Sequence, residues 1–249
     1  MWWILISCVW SQITLPQNMS APDRQSLLQV LGFGSVFKVL GDPYPLGGYS
    51  GLELGITQEV IPTTKLESLG NRAPRQNDLA LSSLSLSKGL YNDLDVGIQF
   101  VLPRQIEQVS GWGAMFRIGV FESGVRPLNV TVLLHGNSVN FQDRLLTNTQ
   151  GLLTLAAYNV EELTLYTGFG FARSQGNFLG GVNGLTDEIE GLAGTDSSGS
   201  AYRKTKKESL SDNHLVAGAH FKMDRFFVAL QIDRIVQTSF GIKMGLRFD

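Results

Sequence analysis

Charge is scarce in this chain of 249 residues: Asp, Glu, Lys and Arg make up 17% of it, against about 25% in an ordinary soluble domain. What charge there is has no basic excess, since 20 Lys and Arg stand against 22 Asp and Glu, so a nucleic-acid footprint is missing. A single cysteine, Cys8, excludes a disulfide framework and any cysteine-rich zinc site. Long apolar runs are missing as well. A membrane-spanning helix needs about 18 consecutive apolar residues, and even the sparsely charged window 145–160 is broken by Thr147, Asn148, Thr149, Gln150 and Thr154. Spanning helices are thereby excluded. Spanning barrel strands, which need only about 9–11 residues of alternating polarity, are not. Disorder is excluded by a hydrophobic content of 43%, and glycine is abundant at 28 residues.

The N-terminal residues Trp2-Trp3-Ile4-Leu5-Ile6-Ser7-Cys8-Val9-Trp10-Ser11 carry the apolar run of a secretory signal, with Val9 and Ser11 at cleavage-like spacing and no positive region before them. An export signal over 1–11 is the reading adopted. A lipoprotein box at Leu5-Ile6-Ser7-Cys8 and an ordinary buried N-terminus are its alternatives. The segment 12–45 follows. In it Ser20-Ala21-Pro22-Asp23 has capping-box spacing, Leu27, Leu28 and Leu31 share one helical face, and Gly32 or Gly34 offers a stop. A short amphipathic helix over about 21–31 is expected, as a plug or a periplasmic cap. Turn chemistry from Asp42 to Gly48 closes this preamble.

From Tyr49 onward the period becomes two. Leu52, Leu54, Ile56 and Val60 share one strand face against Glu53, Gly55, Thr57 and Glu59. The same holds for Leu94–Leu102, for Trp112–Val120, and most cleanly for Phe240, Ile242, Met244, Leu246 and Phe248 against Gly241, Lys243, Gly245 and Arg247. Weaker alternations at 78–88, 127–139, 147–158, 162–173, 213–222 and 225–234 bring the expected total to about ten strands, within a range of 8–12. Short turns alternate with longer loops, of which 173–212 is the longest. That asymmetry is the one outer-membrane barrels show, with turns periplasmic and loops extracellular. The fold expected is all-β: an antiparallel up-and-down transmembrane barrel over 46–248. A soluble sandwich also alternates, but its outer face should be charged and its strands about 5–6 residues long. Here the strands are longer, one face is unbroken Leu, Ile and Phe, and the other is rich in Gly and Ser. Tyr49, Tyr91, Trp112, Phe121, Tyr158, Tyr166 and Phe248 are placed in interfacial aromatic girdles.

Three phrases carry a likeness: Pro45-Leu46-Gly47-Gly48-Tyr49-Ser50-Gly51-Leu52-Glu53-Leu54-Gly55-Ile56, the hairpin from Ser87 to Gly97, and Leu165-Tyr166-Thr167-Gly168-Phe169-Gly170-Phe171. Over about 45–248 the chain resembles small outer-membrane β-barrel proteins of Gram-negative bacteria. The resemblance implies an outer-membrane location, export, lipid and lipopolysaccharide as surroundings, and the barrel assembly machinery as a partner during biogenesis. Barrels of this kind usually end on an aromatic residue, whereas here Phe248 is followed by Asp249.

The inward rows collect the candidate functional residues: Glu53, Glu59, Asp95, Gln99, Arg117, His220, Lys222, Gln231, Asp233, Lys243 and Arg247. If the first and last strands close the barrel, Glu53 and Glu59 face Lys243 and Arg247 across the seam. The alternative is a lumen of solvated charges. A catalytic constellation is not found: His135 and Ser138, three apart, point to opposite strand faces, which defeats activation of a serine. His214 and His220 lie about 20 Å apart along one strand, too far for a metal pair, so each histidine is read as a lone structural or exposed residue. The 173–212 loop has an acidic half (Asp187, Glu188, Glu190, Asp196) and a basic half, in which Arg203, Lys204, Lys206 and Lys207 are candidates for lipopolysaccharide phosphate contact. No cofactor, metal or nucleic acid is expected. The function expected is a non-enzymatic structural, adhesive or binding barrel. A narrow channel or transporter for small or hydrophobic solutes is the alternative, since about ten strands enclose far less space than the 16–18 of open porins.

Overall fold

The computed structural model describes residues 13–70, 78–91, 93–104, 108–123, 127–180, 185–186 and 205–248; the signal assigned to 1–11 lies outside them. One helix, α1 (Ala21–Leu27), runs into a π-helical turn at Leu28–Gly32. Ten strands follow: β1 (Leu52–Ile61), β2 (Leu79–Tyr91), β3 (Leu94–Arg104), β4 (Val109–Glu122), β5 (Leu128–Phe141), β6 (Leu145–Val160), β7 (Leu163–Leu179), β8 (Thr205–Met223), β9 (Phe226–Arg234) and β10 (Thr238–Phe248). Each pairs antiparallel with its sequence neighbours, and β1 pairs with β10, so the sheet is a closed barrel. The seam register sets Glu53 opposite Arg247, Leu54 opposite Leu246 and Ile56 opposite Met244.

Alternation decides which side each residue faces. On β1, Glu53, Thr57 and Glu59 are buried inside, while Leu54 and Ile56 point outward at 44% and 58% exposure. The outward row continues around the wall through Phe100, Leu134, Phe169, Leu230 and Phe240. Tyr49, Tyr91, Phe121 and Tyr158 are exposed near the end that carries the short turns, and Trp112 is exposed toward the other end. Tyr166 departs from the expected girdle. It points into the barrel at 5% exposure and donates a hydrogen bond from its hydroxyl to Gln231 Oε1. Its neighbours Leu165 and Thr167 take the outward row instead, as period two requires.

The loop expected over 173–212 is shorter than the sequence suggested. β7 and β8 stay paired from Leu163↔Phe221 to Leu179↔Thr205, so the connection spans 180–204. Ser174, Gly176 and their polar neighbours read as loop, but the inner row needs small residues there. A Cβ on Gly32 of the helical segment would collide with Ser174, and one on Gly176 would press on Leu28 at 3.0 Å. The barrel is consequently lopsided: β7 and β8 have 17 and 19 residues, β9 and β1 only 9 and 10.

The preamble forms neither a tail nor a separate domain. Ser20 caps α1 in a capping box, its Oγ accepting from the Asp23 N–H while Asp23 Oδ2 accepts from the Ser20 N–H at 3.1 Å. The helix then sits in the loop-end mouth against β6, β7 and β8. Gln142 Nε2 donates to Ile13 O at 2.6 Å, and Thr149 Oγ1 donates to Gly32 O at 3.0 Å. Further along, Asn137 donates to Ser35 O and the Leu40 N–H donates to Gln231. At the turn end the Leu46 N–H donates to Asp95 Oδ2, and β1 begins six residues later. The segment therefore passes through the lumen from the loop end to the turn end.

An inward and an outward glycine give a test of how tightly the wall is packed. A Cβ on Gly170, on the inner row of β7, would strike the Leu152 carbonyl, whereas one on Gly136, on the outward row of β5, meets nothing closer than 3.6 Å. Gly170→Ala should lower the stability of the detergent-folded protein by about 1–3 kcal/mol, read as a shifted urea midpoint, while Gly136→Ala should leave the midpoint in place.

Candidate functional site

The lumen has two apolar zones and a charged one. At the loop end Leu27, Leu28 and Leu31 pack against Ile61, Leu79, Phe141, Leu145 and Phe178 in a closed core. On the β4–β8 side Phe37 and Val39 pack against Met115, Leu133, Leu153, Leu155 and Val216. Beside the second zone, where Asp233 pairs with Val216, lies a buried network of charge that continues to the turn end.

Arg117 donates from Nε to Asp95 Oδ1 at 3.0 Å and from Nη2 to Asp95 Oδ2, and its Nη1 bonds the Asp42 carbonyl. Across the seam Lys243 Nζ meets Glu53 Oε1 at 2.6 Å. Arg247 Nη1 reaches Asp42 Oδ2 at 2.7 Å. Lys38, with its side chain fully enclosed, lies 3.4 Å from Glu59 and 4.0 Å from Asp233. Asp233 also accepts from Gln231 and bonds His214 Nε2 at 2.8 Å. Gln99 ties Glu59 to Ser83. Charges so enclosed are tolerable only when paired and hydrogen-bonded, and removing one partner of a buried pair costs about 3–5 kcal/mol. At the turn end partial burial and a hydrogen bond donated to Asp93 push the Tyr44 phenol up to about 12.

Of the eleven residues assigned to the inner rows, Glu53, Glu59, Asp95, Gln99, Arg117, His220, Gln231, Asp233, Lys243 and Arg247 are buried inside the barrel. Lys222 is half-buried at the turn-end mouth. The seam pairing differs from the sequence reading in two of its four members. Glu53 and Lys243 do pair across the seam. Glu59 pairs instead with Lys38, and Arg247 with Asp42, because the threaded segment lies between them and brings its own charges. Lys38 and Asp42 were missed as site residues, although a signal existed: Lys38 is the lone charged residue between Gln25 and Gly41.

The histidines are not all isolated. His135 on β5 and His214 on β8 come together with ring centroids 5.9 Å apart, edge to face. The absence of a side chain at Gly151 opens the space that the His135 ring fills. Strands three apart in the chain meet here only because the barrel is closed and narrow. Ser138 stays on the outward row, opposite Trp112, while His135 points inward opposite Met115. Lys206 and Lys207 lie on β8 rather than in a loop, because the strand runs further than its composition indicated. Arg203, Lys204 and the acidic half of the loop lie outside the described residues.

No protein-family model and no curated protein matches the sequence. Among solved structures the chain aligns with Ail, the attachment invasion locus protein of Yersinia pestis, crystallised with the heparin analogue sucrose octasulfate. The two share 16% identity at a TM-score of 0.32, over 81% of this chain and 99% of that one. It also aligns with the outer-membrane protease OmpT of Escherichia coli, at 8% identity and a TM-score of 0.41, over 80% and 95% of the two chains. Omp33, an outer-membrane protein of Acinetobacter baumannii, aligns at 8% identity and a TM-score of 0.33, over 80% and 98%. Two of these neighbours are outer-membrane proteins, one of them a protease, and the third is an attachment protein.

The Lys243–Glu53 pair is the testable link of the seam. Lys243→Glu places two carboxylates together in a buried site and should destabilise the folded barrel by about 3–5 kcal/mol. Glu53→Lys with Lys243→Glu should recover part of that loss. Urea unfolding of both variants decides it, and normal stability of Lys243→Glu alone would mean the pair does not register the seam.

Proposed function

We propose that this protein is an outer-membrane barrel closed by its own N-terminal segment, with a structural or binding role at its loop end and neither pore nor enzymatic activity. Lipid surroundings are supported by the outward rows. Ile56, Leu134, Phe169 and Leu230 are all more than half exposed, as parts of a wall far larger than the few hundred Å² of apolar patch a soluble monomer tolerates. The shortest strand, β9 with 9 residues, still meets the length a tilted spanning strand needs. A bilayer thickness matched to β9 leaves the β7–β8 hairpin standing above it on the loop side, which makes that hairpin the binding platform. Lys207 is exposed on it, where lipopolysaccharide phosphates would lie. On this reading the loop end is extracellular and the chain is exported.

The observation that carries the closed lumen is the passage of residues 13–46 through its whole length, with an apolar core at the loop end and paired charges beyond. A non-enzymatic role is supported by the burial of the His214–Asp233 pair, exposed by 0% and 1%, which leaves a substrate no approach.

Planar-bilayer recording tests the proposal against a narrow channel. The full protein should give no stable conductance steps. Leu28→Asp with Leu31→Asp, which buries two carboxylates in the loop-end core, should loosen the segment and produce them. Steady conductance by the unaltered protein would establish the channel reading instead.

A further inference from the structure

The geometry points to an open strand edge on the β7–β8 hairpin that takes up an extended acidic peptide of a partner protein as an added strand. β8 is paired with β7 from Phe221 up to Thr205, but with β9 only as far as Leu215, opposite Arg234. β9 ends there, and the turn into β10 bends over the lumen, where Gln237 Nε2 donates to Val30 O at 3.3 Å. Among the described residues, the stretch 205–214 therefore has a strand on one side and none on the other. Burial shows the same asymmetry. Ala172 of β7 is fully buried, whereas its register partner Asp212, on the same inner row, is exposed. Backbone groups of an antiparallel strand point alternately to its two neighbours, so about half of the N–H and C=O groups of this stretch face the open side.

The surroundings of the edge select its occupant. The edge is braced from inside: Arg24 of α1 holds Glu208 at 2.9 Å, and Leu210 packs on the loop-end core. A braced edge loses little freedom on binding, and an added strand draws its affinity from main-chain hydrogen bonds. The outer face is polar and basic. Lys207, Ser209, Ser211 and Asn213 are exposed along β8, and Arg173 of β7 donates to Ser209 Oγ at 3.2 Å. Arg234 is exposed at the foot of the open lane, where β9 stops. The outward rows of β7, β8 and β9 carry no Asp or Glu. With Lys207 high on the lane and Arg234 at its foot, acidic side chains on the outward row of the added strand are favoured across the pair. A second copy in the same bilayer does not fit this edge. Two such copies are related by an axis along the membrane normal, and strands tilted by about 35–45° then cross instead of lying side by side.

The inference rests on the reading that the hairpin stands clear of the bilayer, and the experiment separates the two. The full chain in phospholipid nanodiscs, which hold no lipopolysaccharide to compete for Lys207, is titrated with a synthetic peptide of alternating Glu and Thr, as long as the open edge. Saturable binding is expected, with slowed amide exchange in 205–214 and unchanged exchange in β1. Methylation of the peptide's backbone nitrogens, which removes donors but no charge, should weaken binding by about tenfold or more. Lys207→Glu with Arg234→Glu, both at exposed positions, should weaken it by about fivefold and favour a peptide of alternating Lys and Thr instead. No saturable binding, equal binding of the methylated peptide, or unchanged affinity in the charge-reversed variant overturns the added strand. So does self-association of the protein that protects the same amides without peptide. Ser209→Cys in a Cys8→Ser background reports on the bilayer. Labelling by a water-soluble maleimide places the hairpin clear of it, and missing peptide binding then counts against the added strand alone. Absence of labelling removes the platform and this inference together.

Discussion

Lys38 enclosed between Glu59 and Asp233 is the contact on which much of the interior depends. A ten-stranded barrel is too narrow to hold bulk water around its inner charges, and too wide for its own inner side chains to fill where many of them are glycine or serine. The carboxylates of β1, β3 and β9 therefore need counter-charges in the lumen. Some come from the wall, through Arg117 and Lys243. Lys38 comes from the threaded segment, and Asp42 of the same segment answers Arg247. Without the segment Glu59 would lose its cation and Arg247 its carboxylate, in an interior where an unpaired charge is far more costly than a paired one.

The same segment resolves the two leucine-rich rows. Leu133, Leu153 and Leu155 point inward although the outward rows of β5 and β6 are apolar too. A wall that is apolar on both faces needs protein packed against the inner one. Phe37, Val39 and the leucines of α1 are that protein. The lumen is thus a folded core, built as in a soluble domain but enclosed by a sheet instead of by water. Because the segment leads directly into β1, the strand that closes the seam with β10, filling the barrel and closing it involve adjacent stretches of chain.

The lopsided wall separates the two ends chemically. The tall β7–β8 side backs the helix and the apolar core at the loop end. At the turn end the segment hugs β3, β4 and β10 through Asp95, Arg117 and Arg247 and leaves space beside β7 and β8. Among the described residues the loop end holds an apolar core and the turn end a polar vestibule. That division follows from where the helix stops and the extended chain begins, since a helix with its side chains fills a mouth that a single extended strand only lines.

The strand count, the faces of β1, β3, β4 and β10 and the capping box of α1 were all legible in the chain, because period-two alternation and an N-cap are local properties carried by consecutive residues. Glu53, Asp95, Arg117 and Lys243 could be placed on inner rows for the same reason. Legibility failed where composition stood in for geometry. Ser174 and Gly176 looked like loop because the small side chains needed against Gly32 and Leu28 are those that loops also favour. It failed again wherever partners are distant in sequence. Lys38 with Glu59 and Asp233, Asp42 with Arg247, and His135 beside His214 are set by closure of the sheet and by the path of the segment through it. The sequence alone determined a barrel with an apolar outer wall; only the tertiary structure decided that the barrel is filled, by what, and at which end it stays open.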